Sequence, residues 1–327
     1  MKTLPIQDIT LEITNRCNLK CRMCSIWQEK EKKYLDINQI RDLVLSPVFN
    51  KPIGSISLTG GEPFMHPDIG KIYKFLVLCK AKKLIRNIGI YSNGYDTSTI
   101  LDFLKENKKY LSNLSLGISL DGKEKIHNFL RGRNDAFQKT LDTIMKVSSL
   151  YSQVNLEIKF TISPYNFDQI LDIYKLCRKN NLFFSPKFAE SKTKHYYHKA
   201  GSSKLKTSLN LNQKRQVKND LLKIFKAEGK QEKPVVNLKV IAVLIKFLNY
   251  GLDFIKTCHT PSFSLFVSSS AKIFPCVYMP ALVSLKQKNW FKKFESKKYL
   301  EIVNRALSGA CPKCLAYHGF LKDFNLD

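Results

Sequence analysis

The sequence predicts an α/β protein: a partial (β/α)6 barrel of the TIM-like kind followed by a small cysteine-rich C-terminal domain. Three observations predict it. Residues 1–190 alternate short apolar runs with stretches of helical periodicity. Each apolar run ends in Gly, Ser, Thr, Asn or an acidic residue. Four cysteines, Cys258, Cys276, Cys311 and Cys314, gather near the end of the chain.

The apolar runs place strands over residues 9–13, 53–58, 87–91, 114–120, 156–162 and 183–188. Helical periodicity fills the gaps over 37–45, 69–80, 97–105, 136–150 and 167–178. Such alternation argues for a parallel sheet with crossover helices, as a barrel or an open sheet. The strand ends decide between them. They read Thr14-Asn15-Arg16, Thr59-Gly60-Gly61-Glu62-Pro63, Ser92-Asn93-Gly94, Ser119-Leu120-Asp121-Gly122 and Thr161-Ile162-Ser163. Barrels assemble one pocket from residues at the C-terminal ends of several strands, so a shared mouth favours the barrel.

Residues 191–250 form a lysine-rich connector. Its first part, with Lys192, Lys194, Lys199, Lys204 and Lys206, suits a loop, a solvated helix or a linker. An apolar helix follows over 235–248. In residues 251–327, strands over 263–268 and 272–277 form a hairpin across Ser269-Ser270-Ala271. A helix over 290–306 then leads to the last cysteine pair.

The 327 residues can bury a large core, and a hydrophobic fraction of 44% excludes wholesale disorder. No apolar run is long enough to span a bilayer, and the N-terminus lacks the apolar core of a signal peptide. A cytoplasmic location is therefore expected. The net charge of +27 raises nucleic acid or anionic lipid as partners. Only nine of the 54 basic residues are arginines, whereas base and phosphate readers prefer the guanidinium fork. General solubility is the favoured reading of that charge.

Nine cysteines in a reducing compartment argue for metal or cluster ligation rather than disulfides. Cys79 and Cys177 stand alone on helical segments and read as small buried hydrophobes. Cys17, Cys21 and Cys24 share one loop. At that spacing they can hold three irons of a [4Fe–4S] cube and leave the fourth open. A zinc site whose fourth ligand lies elsewhere, or accidental spacing, remains open on spacing alone. Gly60-Gly61 and Asp121-Gly122 could each be tight turns, and Glu62 could face a helix dipole. His127 and Arg131 lie four apart and could simply share a helix face.

The order of these motifs resembles the radical S-adenosylmethionine (SAM) superfamily over about residues 8–190. The loop from Ile13 to Cys24 is similar to that family's cluster loop, with Met23 where an aromatic is usual. Gly60-Gly61-Glu62-Pro63 resembles its GGEP motif, which implies that Gly60, Gly61 and Glu62 receive the SAM amino group. Ser92-Asn93-Gly94 resembles the third-strand motif and brings in Asn93. Ser119, Asp121-Gly122, His127 and Arg131-Gly132 resemble the fourth-strand pattern. That likeness implies a SAM contact by Ser119 and pairing of Arg131 or Arg133 with the SAM carboxylate. The resemblance thus implies a [4Fe–4S] cluster with SAM at the open iron and a flavodoxin- or ferredoxin-type reductant.

The second cysteine set also describes a zinc ribbon on spacing alone. It resembles the twitch domain, the shortened relative of the SPASM domain, with Ala271 where that pattern has Gly. The resemblance implies one auxiliary [4Fe–4S] cluster, with zinc the weaker occupant. Four thiolates would close that cluster to substrate and suit it to accepting an electron. The implied activity is net oxidation of a small polar substrate, sugar- or aminocyclitol-like. Rivals are a peptide-modifying maturase, a modifier of RNA or lipid, and a non-enzymatic metal-binding regulator. Against the maturase stands the lack of room for a leader-peptide-binding module before Ile9. His195 and His198 are candidates for a lid or metal site, weighed against an exposed stretch, and His318 could approach the auxiliary site. No catalytic proton acceptor is assigned.

Overall fold

Each predicted barrel strand forms, because short β-branched runs buried under helices leave no better place for their side chains. The structure, a computed structural model, describes residues 3–190, 205–311 and 314–315. Strands β1 (Asp8–Thr14), β2 (Ile53–Gly60), β3 (Ile85–Ser92), β4 (Leu114–Ser119), β5 (Asn155–Ile162) and β6 (Phe183–Phe188) pair in sequence order, all parallel. The connections carry α1 (Ile37–Leu45), α2 (Ile69–Ala81), α3 (Thr97–Glu106), α4 (Glu124–Arg131), α5 (Ala136–Leu150) and α6 (Ile170–Lys179). Helix starts are fixed locally. Asp36 accepts from Asn38 N and forms a capping box with Gln39, and Asp96 accepts from Thr99 N.

Strand alternation separates core from lumen. In β5, Ile158, Phe160 and Ile162 are fully buried, whereas Glu157, Lys159 and Thr161 are only half-buried. Cys79 and Cys177 are buried in the apolar core.

Helix α7 (Leu211–Glu228) emerges from the polar connector, capped by Asn210 with Gln213 and burying Val217, Leu221 and Ile224 on one stripe. The apolar helix follows as α8 (Leu238–Tyr250). Lys192, Lys194, Lys199, Lys204, His195, His198 and His318 lie outside the described residues.

The C-terminal strands add to the same sheet. After the short α9 (Thr260–Phe263), β7 (Ser264–Val267) pairs parallel with β1, Asp8 opposite Ser264 through Leu11 opposite Val267. Strands β8 (Lys272–Phe274) and β9 (Val283–Ser284) follow antiparallel, giving the order β6-β5-β4-β3-β2-β1-β7-β8-β9. The single helix expected over 290–306 is broken. Trp290–Glu295 is a 3-10 helix, and Ser296 then caps α10 (Lys297–Leu307) by accepting from Tyr299 N. Ser296 competes for the backbone in the way that favours caps over helix interiors.

Candidate active site

The loop after β1 is held from both sides. Arg16 N donates to Thr14 Oγ1 (3.0 Å), and the Asn15 side chain bridges Glu31 O and Lys33 N (2.7 Å each). Further on, Arg22 N donates to Leu130 O (2.9 Å) and Trp27 Nε1 to Cys21 O (3.2 Å). The turn that follows α4 has the same job. Gly132 stands at φ 71°, and a Cβ there would lie 2.5 Å from Lys20 O.

Gly60 and Gly61 press the end of β2 against this loop. Gly61 N donates to Thr14 O (2.8 Å) and Glu62 N to Arg16 O (2.7 Å). A Cβ on Gly61 would lie 2.0 Å from Arg16 O, so only glycine allows the approach. Glu62 is thereby delivered into the interior at 2% exposure. Its carboxylate accepts from Ser92 Oγ (2.9 Å) and Asn93 N (2.8 Å). Burial outweighs those donors and pushes the Glu62 carboxyl up to about 7.

Asn93 Nδ2 donates to Asn18 Oδ1 (2.8 Å) and lies 3.9 Å from Cys17 Sγ. Opposite, Arg131 pairs with the fully buried Asp121 and sets Nη1 3.9 Å from Cys21 Sγ. Asp121 also accepts from Thr161 N (2.8 Å), so strands β4 and β5 jointly aim the guanidinium. Arg133 turns elsewhere, stacking over Tyr95 at 4.9 Å. His127 Nδ1 accepts from Asp121 N (3.0 Å), which puts its proton on a buried Nε2 with no partner among the described residues. Burial and Arg131 hold His127 well below its usual pKa, so it braces the turn as a neutral ring.

Cys17, Cys21 and Cys24 meet in this pocket. Burial pushes the Cys17 thiol up to about 12, with Cys21, Glu62 and Cys24 each adding to the shift. Cys21 is likewise raised by burial, against the pull of Arg131. Three crowded soft donors fit a cationic iron cluster, whose binding would release thiol protons. The buried Arg131 Nε has no hydrogen-bond partner among the described residues, a donor left over for a bound group. Ser119 ends β4 on the lumen face, opposite Lys159 in register, and its hydroxyl bonds nothing among the described residues.

The second set gathers beside β1 and β7. Cys258, Cys276, Cys311 and Cys314 line one cavity of about 130 Å³ with Ile255, Pro261 and Phe266. Burial, then Cys258 and Cys311, push Cys276 up to about 11. No three His, Cys, Asp or Glu among the described residues converge as they would on a single ion. Ala271 adopts φ 63°, the left-handed turn for which the twitch pattern keeps Gly, and its methyl is buried.

The family model described as the radical SAM superfamily matches residues 11–177, about half of the chain. The chain belongs to the radical SAM superfamily. Among curated relatives of the radical SAM chain, the sporulation killing factor maturation protein SkfB of Bacillus subtilis is 32% identical over 180 residues. That stretch is 55% of this chain and 41% of SkfB. The antilisterial bacteriocin subtilosin biosynthesis protein AlbA of the same organism is 32% identical over 141 residues, 42% of this chain and 30% of AlbA. The chain thus spans less than half the length of these relatives. A solved structure, anSMEcpe with bound AdoMet and Cp18Cys peptide, superposes with a TM-score of 0.65 at 19% identity, covering 96% of this chain and 87% of that one. At that identity the likeness shows the fold.

Sequence reasoning missed several lumen residues. Glu12 is buried and accepts from Ser269 N (3.0 Å) and Oγ (2.6 Å), tying the β7–β8 turn to β1. Tyr91, Glu157, Lys159 and Lys187 also face the lumen. Charged residues at inward positions of otherwise apolar strands were the available signal.

Proposed function

We propose that the chain is a peptide-modifying radical SAM enzyme. The observation that carries this reading is the 32% identity to a maturation protein over 180 residues. The biosynthesis protein AlbA and the peptide-bound fold relative point the same way. This displaces the sugar- or aminocyclitol-like substrate expected from sequence, which rested on likeness to twitch-bearing dehydrogenases alone.

Cys17, Cys21 and Cys24 would hold the open cluster, and Cys258, Cys276, Cys311 and Cys314 an auxiliary one. When bound, the first cluster with SAM supplies a 5′-deoxyadenosyl radical able to take hydrogen from carbon. The chain's own part is positioning. Gly60, Gly61 and Glu62 form the cradle for the SAM amino group, Arg131 offers its leftover donor beside Cys21, and Asn93 and Ser119 border the same space.

The test uses the anaerobically reconstituted chain with SAM and a flavodoxin-type reductant. A panel of N-acetylated, C-amidated tripeptides is compared with a panel of aminocyclitols and sugars. Peptides are expected to raise 5′-deoxyadenosine formation above the substrate-free rate and to lose two hydrogens by mass. Stimulation by aminocyclitols alone would sink the peptide reading.

A further inference from the structure

The lumen wall opposite the cluster loop is lined by two lysines in different circumstances. Lys159 on β5 is fully engaged. Its Nζ pairs with Glu157 (2.7 Å), donates to Ser185 Oγ (3.3 Å) and sits 4.7 Å over the Tyr91 ring. Gly117 on the intervening strand makes room for this stack. A Cβ there would lie 2.6 Å from the Tyr91 ring and 3.1 Å from Lys159 Cε. The floor of the chamber is therefore built and neutralised.

Lys187 stands one inward position further along β6, two residues past Ser185 and opposite Thr161 in register. It is exposed and has no hydrogen bond or ion pair among the described residues. Its amine still feels the chamber. Desolvation by the surrounding wall lowers its pKa, with opposing pulls from Glu190 and Asp121 and a push from Lys159 and Arg131. The acids within reach are already committed, Glu157 to Lys159, Asp121 to Arg131 and Glu190 to the Tyr278 hydroxyl. Lys187 is left without an ion pair among the described residues, and its inward register puts it on the same wall as Ser185 and Lys159. Of the charges that act on Lys187, Arg131 contacts Cys21 and Glu190 acts on Cys276.

An unpaired cation facing a reaction chamber is a site for an anion. We propose that Lys187 is the substrate-recognition cation of the chamber and that it takes the carboxylate of an aspartate or glutamate side chain in the peptide substrate. The proposal rests on the peptide reading above for the carrier of that carboxylate, but not for the anion site itself. Lys187 acts in specificity: it holds the acidic residue and so fixes which neighbouring carbon is presented near Arg131 and Cys21.

The test measures calorimetric binding to the reconstituted, SAM-loaded full chain. The probes are N-acetylated, C-amidated Gly-Glu-Gly and Gly-Gln-Gly, with glutarate as a free dicarboxylate. Wild type is expected to prefer the Glu tripeptide by about tenfold, the size of one partly desolvated charge-assisted contact. Lys187→Met should abolish that preference, and Lys187→Arg, which keeps the cation, should retain it and serve as the folding control. Equal binding of both tripeptides to wild type, or a preference that survives in Lys187→Met, overturns the proposal. Glutarate binding that depends on Lys187 while neither tripeptide binds would uphold the anion site and remove the peptide reading.

Discussion

Glu62 shows how burial and hydrogen bonding compete at a single carboxyl. Three donors, Asn93 N, Ser92 Oγ and Phe64 N, favour its ionised form, yet complete burial prevails and raises the pKa from the usual 4.5 to about 7. A carboxyl raised on folding stabilises the fold while protonated. That contribution is full below about pH 4.5 and is lost as the pH rises through about 7. The shift corresponds to about 3 kcal/mol. Glu62→Gln cannot ionise, so its stability relative to wild type should rise by about 3 kcal/mol from about pH 4.5 to about pH 8. Urea unfolding of the cluster-free full chain at both pH values measures this. A difference that stays flat would mean that Glu62 keeps its charge, compensated, throughout.

At the scale of elements, the barrel works by pressing strand ends against the cluster loop, and Gly61 is where the fit is tightest. Gly61→Ala places a methyl 2.0 Å from the Arg16 carbonyl, backbone against backbone, with no side chain able to move aside. The expected cost is about 3 kcal/mol together with loss of iron from the first cluster. Gly70→Ala on α2, where a Cβ meets nothing within 4 Å, should instead stabilise by about 0.5 kcal/mol. Thermal unfolding and iron content of the pair read both effects, and equal behaviour of the two variants would refute the packing argument. The motif glycines were legible through their order among the other strand-end motifs, since Gly60-Gly61 alone could equally be a tight turn. Strands β1 to β6 were legible for a different reason, since parallel strands buried on the helix side read as compact apolar runs. Helix α4 was not called in advance because it buries only His127 and Leu130, leaving too little apolar stripe to mark it. Pairing of β7 with β1 was invisible because it joins residues far apart in sequence, which no local pattern encodes. In the site, cysteine spacing announced itself, whereas Lys159 and Lys187 vanished among 54 basic residues. Only the strand alternation distinguishes a lumen lysine from a solvated one.

For the whole molecule, one continuous sheet connects the two cysteine sets. Strand β7 pairs with β1 over Asp8–Leu11, and the Ser269 turn is clasped by Glu12, so the C-terminal strands are anchored without help from any cluster. The auxiliary thiols hang from the far side of that anchor, lining a cavity that reaches Asp8 and Thr10 at the other end of β1 from Cys17. This arrangement makes the two centres separable. Anaerobically reconstituted wild type should hold about eight irons. The Cys17/Cys21/Cys24→Ala variant and the Cys258/Cys276→Ala variant should each fall to about four. Only the second should keep a reduced-cluster EPR signal that SAM perturbs, because the open iron belongs to the β1 loop. About four irons and one zinc in wild type would leave the first centre intact and replace the auxiliary cluster with a structural ion. Loss of both centres in the Cys258/Cys276→Ala variant would show that the sheet does not anchor the C-terminal strands by itself. The auxiliary site would then be part of what folds the barrel.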